Sequence, residues 1–274
     1  MDMDGTLLDS RASISESNVR AIVEAQSRGI EIVLATGRRF DFARPFAEAL
    51  TCDFHLIVSN GALIKSKDGS TLTRHLLPAE IALHLLEATP QFRSSAAVIF
   101  DRPTSRQVIM EHIAWDDPLR GRYYSRNREH LAEVAPLTDC LDGDDPIQVM
   151  FAGPCSEMRE AMKLLEDSPR AGDYALTLTE YQQRNFSILD VLRHGVSKGV
   201  ALAEWARRRG IPRESVMAIG DNWNDRDMLE YAGLPVVMGN SVPELKSLGW
   251  QVTLSNDESG VAEAIRTHAL TETR

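Results

Sequence analysis

Apolar residues recur along this chain with two different periods, and the switches between them divide it into parts. Residues 15–28 carry Val19, Ile22, Val23 and Ala25 at helical spacing, with Ser15 suited to cap the start and Gly29 to end the helix. The run 30–35 predicts a short buried strand around Ile32, Val33 and Leu34, closed by Thr36-Gly37-Arg38-Arg39. A helix over 42–50 and a strand over 54–58 follow, the latter ending in Ser59-Asn60-Gly61. Strands and helices joined by short connections predict a parallel sheet covered on both faces.

The rhythm then changes. Segments 62–65 and 71–75 flank Lys67-Asp68-Gly69, a hairpin signal. Residues 78–88 read as a helix with Ile81, Leu85 and Leu86 on one face. Candidate strands at 96–100, 147–151 and 174–178 alternate less regularly with helices, of which 156–165 is the clearest. The polar, arginine-rich stretch 115–128 receives no assignment. Near Ser187 the α/β rhythm returns with a strand at 188–192, a helix at 197–209 capped by Ser197 and followed by Gly210, and a strand at 216–219. A helix through Met228 and Leu229, a strand at 235–238, a helix accepting Pro243 in its first turn, and segments 250–254 and 261–268 complete the pattern. The expected fold class is α/β: a parallel-sheet core at 1–78 and 188–274, interrupted by an α+β insertion at 79–187.

Composition narrows the function. The chain has 274 residues, 43% hydrophobic and 26% charged, as in an ordinary globular protein. A net charge of -10 and a pI near 5.2 argue against nucleic acid or an anionic membrane as partner. Cys52, Cys140 and Cys155 follow no CxxC pattern and leave one over from any pairing, which fits a reducing, cytoplasmic setting. No apolar run is long enough for a membrane-spanning helix. A monomer or homodimer is expected.

The candidate chemistry gathers where strands end, because ligands of open α/β sheets bind beyond the carboxyl ends of the strands. In an extended segment Asp2 and Asp4 point to one side and can converge, with Gly5 allowing a bend behind them. Thr36/Gly37, Ser59/Asn60, Lys198 and Asp221/Asn224/Asp225 occupy corresponding places. Carboxylate oxygens without a His or Cys cluster suit Mg²⁺, while lysine, hydroxyl, amide and helix N-terminal groups suit a phosphate. Taken singly, each cluster has a plainer reading: a solvated terminus for Asp2/Asp4, a strand-to-helix turn for Thr36-Gly37, a solvated side chain for Lys198, a helix cap for Asp221 and Asp225. Asp9, Asp227, Arg39 and Asn240 are read as structural, with Arg39 solvated, and His194 as a loop residue. Jointly the clusters describe a phosphoryl-transfer site.

Asp2-Met3-Asp4-Gly5-Thr6, Thr36-Gly37-Arg38, Lys198 and Gly220-Asp221-Asn222-Trp223-Asn224-Asp225 resemble, in order, the four motifs of the haloacid dehalogenase-like hydrolases. Ser59-Asn60-Gly61 and Gly195-Val196-Ser197-Lys198-Gly199, with the insertion between the second and third motifs, are similar more narrowly to the Cof-type phosphatases. The resemblance implies a Rossmann-like core with an inserted α+β cap that closes over the site and excludes water. It implies a Mg²⁺-dependent phosphatase of small phosphorylated metabolites, with Asp2 as nucleophile forming an aspartyl-phosphate and Asp4 as acid and base. Mg²⁺ would be held by Asp2, the Asp4 carbonyl and Asp221, with Asp225 in support. Thr36, Gly37, Lys198 and Asn224 would contact the phosphoryl group, with Asn60 as a further candidate. Arginines of the insertion, among them Arg102, Arg120, Arg122 and Arg126, are candidates to read an anion. A phosphomutase or phosphotransferase on the same scaffold is the enzymatic alternative. The family carries a central strand of about five residues before its nucleophile. Only Met1 stands there in this sequence, so a start assigned too late or a trimmed sequence is expected rather than an enzyme with no first strand, with a catalytically weak binding protein as the alternative if the truncation is real.

Overall fold

A computed structural model describes residues 1–103, 105–118 and 120–270, so the end of the expected core, 271–274, lies outside the described residues. The chain divides into one unit of Met1–Arg74 with Ser197–Arg274 and another of His75–Val196.

The first unit opens with α1 (Glu16–Ser27), where the Ser15 hydroxyl accepts from Asn18 N as the helix cap. Its inward face is Asn18, Ala21, Ile22 and Ala25. β1 (Val33–Ala35) is shorter than its apolar run, because the parallel ladder with the next strand starts only at Val33. α2 (Phe40–Ala47) starts and ends earlier than the expected 42–50: Arg39 is extended before it, and the chain turns at Leu50, whose N–H donates to Ala47 O. β2 (His55–Val58), β3 (Leu63–Ser66) and β4 (Thr71–Arg74) follow, with β1 and β2 parallel and β2, β3 and β4 antiparallel in sequence.

The inserted unit contains α3 (Ala79–Ala88), β5 (Ala96–Ile99), β6 (Val108–Met110), α4 (Gly121–Arg126), β7 (Leu131–Glu133), β8 (Gln148–Gly153), α5 (Cys155–Glu166), β9 (Tyr174–Tyr181) and β10 (Phe186–Arg193). Its sheet runs β7-β6-β5-β8-β10-β9, antiparallel except between β6 and β7. Leu85, Val98, Phe151, Leu189 and Val191 lie in its own apolar core. β10 corrects the expectation that the strand at 188–192 resumes the parallel core. It pairs with β9 from Phe186 to Arg193 and with β8 on its other side. A buried apolar run looks alike in either kind of sheet, so its pattern could not reveal the partner. The return to the first unit therefore falls at Ser197 rather than 188.

There the chain forms α6 (Lys198–Arg208), β11 (Met217–Gly220), α7 (Arg226–Tyr231), β12 (Leu234–Val237), α8 (Pro243–Lys246), β13 (Gln251–Val252) and α9 (Gly260–His268). β11, β12 and β13 are parallel neighbours. Buried Asn18 ties α1 to α9 by accepting from Ala262 N at 2.9 Å. Met1 and Asp2 lie between the two groups of strands in this unit. Ala35 N donates to Met1 O at 2.8 Å, and Asp2 N donates to Ile219 O at 2.9 Å. The central position of the sheet is thus held over these residues by chain that bonds to both neighbours. Among the described residues no helix is long and apolar enough to cross a membrane.

Gly61 fixes how closely β2's end approaches α6: its φ is +103°, and a Cβ there would collide with the Ser197 carbonyl. Gly61→Ala should therefore lower stability by roughly 3 kcal/mol, from a left-handed conformation and a backbone clash together. A shift of the urea midpoint at unchanged slope would show it; an unshifted midpoint would contradict the close approach.

Candidate active site

Three turns of the first unit converge at the carboxyl ends of its parallel strands. After Asp2 the chain bends, with Thr6 N and Leu8 N donating to Met3 O at 3.4 and 2.9 Å. Met3, Leu7 and Leu8 are thereby buried. Gly5, at φ +79°, lies so close to the Asp221 carboxylate that a Cβ would strike it. Asp2 and Asp4 take different cations: Asp2 accepts from Lys198, and Asp4 from Arg38.

Asp2 faces Lys198. The first turn of α6 is held by the Ser197 hydroxyl, which accepts from Val200 N at 3.2 Å, and by Asp227 Oδ2, which accepts from Gly199 N at 2.9 Å. Lys198 is 1% exposed, and its Nζ donates to Asp2 Oδ1 and Asp225 Oδ1, each at 2.7 Å. Asp225 Oδ2 accepts from Asp221 N and Asn222 N at 3.1 and 3.2 Å, so both its oxygens are engaged. Gly220 makes room for this, since a Cβ on it would lie 2.7 Å from Asp225 Cβ. Asp221 Oδ1 accepts from the Thr6 hydroxyl at 2.8 Å.

One oxygen from each of Asp2, Asp221 and Asp225 lies within 4.8 Å of the others. Burial, then the Asp225 charge, pushes the Asp2 carboxyl up to about 7, against the pull of Lys198. Burial also raises Asp221 well above the carboxylate range, helped by Asp2 and Asp225. Burial alone would lower Lys198, but the two carboxylates at its ammonium outweigh this and hold it above its ordinary value. Three carboxylates face one ammonium, so the cluster is short of positive charge. Asp2 Oδ2 and Asp221 Oδ2 make no hydrogen bond to another described residue. Such a hard, all-oxygen set fits a divalent cation.

Beside the cluster, buried Thr36 follows Ala35, the residue bridged to Asp2. The Thr36 hydroxyl accepts from Arg38 N at 3.1 Å, and its carbonyl accepts from Asn60 N at 3.1 Å. Asn60 is buried at φ +51°, and a Cβ on Gly37 would lie 3.1 Å from its Oδ1. Asn224 sits half-buried in the turn between Trp223 and Asp225.

Three residues to which the motif resemblance assigns no role hold the site's groups in place. Arg38 grips the Asp4 carboxylate, with Nε donating to Oδ2 at 2.7 Å and Nη2 to Oδ1. Thr6 holds Asp221, and Asp227 pins the start of α6. Position in a motif was the available signal for the first two. Arg39, expected solvated, is 7% exposed. Asn240 forms its expected turn and donates to Gly5 O at 2.8 Å. In the inserted unit, Arg102 pairs with Asp144 and Arg120 with Asp117, whereas Arg122, Arg126 and His194 are exposed.

A raised carboxyl pKa stabilises the fold at low pH, and that stability is lost as pH rises through the folded-state value. Asp221→Asn should therefore be more stable than the parent at pH 8 in chelator, with the advantage shrinking toward pH 5. Added Mg²⁺ should raise the melting temperature of the parent and not of the variant. Thermal scans at both pH values would test this; an advantage independent of pH would contradict the crowding of carboxylates.

Residues 1–265 match the family described as haloacid dehalogenase-like hydrolase. The chain is 31% identical to the phosphatase YwpJ of Bacillus subtilis (strain 168), covering 97% of each chain. It is 27% identical to the pyridoxal phosphate phosphatase YbhA of Escherichia coli (strain K12), over 98% of this chain and 97% of that one. It is 31% identical to the 5-amino-6-(5-phospho-D-ribitylamino)uracil phosphatase YcsE of B. subtilis, over 97% and 93%. A solved haloacid dehalogenase-like hydrolase from B. subtilis superposes with a TM-score of 0.81 at 27% identity, covering 98% of each chain. Another from Bacteroides thetaiotaomicron gives 0.78 at 26% identity, covering 97% of each. With these motifs, this sheet and this breadth of similarity, the chain belongs to the haloacid dehalogenase-like hydrolases.

Proposed function

We propose that this hydrolase is a Mg²⁺-dependent phosphatase of small phosphorylated metabolites working through an aspartyl-phosphate. The first unit is the catalytic core and the inserted unit its cap. The reading rests on one observation above all: a buried lysine shared by two carboxylates, with a third carboxylate offering an oxygen within 4.8 Å of one on each of them. A Asp2 oxygen attacks phosphorus while the bond to the leaving oxygen breaks, and Asp4 gives that oxygen a proton. Water then attacks phosphorus, passes a proton to Asp4, and releases phosphate with the Asp2 carboxylate regenerated. Lys198, Thr36 and the Gly37 backbone bind the phosphoryl oxygens and offset charge in the transition state, with Asn224 and Asn60 as further contacts. Asp2, Asp221 and the Asp4 carbonyl would hold Mg²⁺, which would supply positive charge at the phosphoryl group. Asp225, with both oxygens engaged, orients Lys198 and would add negative charge in support of the cation.

Two of the relatives are named for small phosphorylated compounds, pyridoxal phosphate and a phosphoribitylamino-uracil. A phosphate monoester of comparable size is the substrate class proposed here. The three free, buried cysteines suit a cytoplasmic setting.

Turnover of p-nitrophenyl phosphate with Mg²⁺ should fall by roughly 10³-fold or more in Asp2→Asn. Unchanged turnover would sink the nucleophile assignment. Asp4→Asn should slow alkyl phosphates about 10²–10⁴-fold and p-nitrophenyl phosphate less, because a good leaving group needs little protonation. Equal losses across leaving groups would count against the acid role.

A further inference from the structure

We propose that Arg38 is a positioning residue: it fixes the Asp4 carboxylate in the orientation from which Asp4 exchanges protons. The inference rests on the reading of Asp4 given above.

The grip is a fork. Arg38 Nε donates to Asp4 Oδ2 at 2.7 Å and Nη2 donates to Oδ1, so both oxygens are held and the carboxylate plane is set. The fork itself is fixed. The guanidinium carbon lies 4.8 Å from the centre of the Phe42 ring and 4.2 Å from that of Phe46. These rings sit one turn apart on α2 and meet edge to face at 5.8 Å. The Arg38 backbone is pinned at both ends: its N–H donates to the Thr36 hydroxyl at 3.1 Å, and its carbonyl accepts from Ser59 N at 2.9 Å. Burial is uneven across the pair. The Arg38 side chain is 16% exposed and that of Asp4 is 42% exposed. The cation is a wall, and the carboxylate keeps an open face.

Stability does not account for the arrangement. A pair with so exposed a carboxylate contributes little to folding. Arg38 Nη1 is buried with no hydrogen-bond partner, which opposes folding. What the fork does supply is geometry at the one carboxylate that is assigned proton transfer and is otherwise bound to no described side chain. Asp2, by contrast, takes its position from Lys198.

Four proteins test the proposal: the parent, Arg38→Met, Asp4→Asn and the double variant, each assayed with p-nitrophenyl phosphate and an alkyl phosphate. Methionine fills the space between the two rings and cannot form a fork. Arg38→Met should lower kcat about 10- to 100-fold with KM within about 3-fold, and more for the alkyl phosphate. In the Asp4→Asn background the same substitution should cost no more than about 3-fold, because the group it positions is gone. Arg38→Lys should recover little, since an ammonium keeps the charge without the fork. A rise in KM at unchanged kcat would mean that Arg38 contacts substrate, and an equal loss in both backgrounds would mean that it acts independently of Asp4; either overturns the proposal. If Asp4→Asn abolishes turnover and Arg38→Met leaves kcat intact, positioning fails alone. If Asp4→Asn leaves alkyl phosphate turnover intact, the reading of Asp4 itself fails. Urea midpoints for Arg38→Met and Arg38→Lys, expected near the parent, separate these outcomes from misfolding.

Discussion

One ammonium group, shut away from water between two carboxylates, ties the ends of three chain segments together. Lys198 lies 196 residues from Asp2 and 27 from Asp225, and it donates to both at 2.7 Å. A buried lysine without partners would be strongly disfavoured, and removing one member of such a group leaves uncompensated charge. The contact therefore works as a registration device: the turn after Asp2, the start of α6 and the loop after β11 must all arrive together. The third carboxylate, Asp221, exceeds what one lysine can balance. The fold thus pays in self-repulsion for an affinity toward further positive charge.

Close backbone approach makes this crowding feasible. Gly5 lies against Asp221, Gly220 against Asp225, and Gly61 against the carbonyl that begins α6. At each place a side chain would push apart the groups that the site needs side by side. Most other polar atoms around the cluster are committed: Asp225 to two backbone N–H groups, Asp227 to Gly199, Thr6 to Asp221, Thr36 to Arg38 and Asn60. Asp2 and Asp221 each keep one oxygen without a hydrogen bond to another described residue, among neighbours held in place. Preorganisation of this kind is what electrostatic stabilisation of a transition state requires.

Much of this was legible in the residues. Helical period and cap chemistry located α1 and α6 to within a residue, because Ser15 and Ser197 do cap them. The polar clusters at strand ends identified Asp2, Lys198, Asp221 and Asp225, which the fold brings together. What period cannot carry is partnership. β10 reads as a buried strand in either sheet, and the three-residue β6 and β7 are too short to show a period. A lysine just inside a helix is ordinarily solvated, and only the distant carboxylates make Lys198 a buried one. That Asp2 pairs with Lys198 and Asp4 with Arg38 is likewise invisible in an alternating pattern, since both partners are distant in sequence. Arg38 stood within a quoted motif, yet its role depends on two phenylalanines a helical turn apart that only the fold stacks around it.

The discontinuity of the first unit has a consequence for the order in which a ribosome delivers its parts. Met1–Arg74 leaves the tunnel carrying the nucleophile's turn and half of a sheet, with the residues that complete them still to be made. The inserted unit, His75–Val196, emerges whole and has its own apolar core, so it can collapse while the earlier segment waits. Until Lys198 arrives, Asp2 lacks the ammonium partner that its burial requires. The site is consequently a late product of synthesis: its charges are buried only when the last third of the chain has been translated.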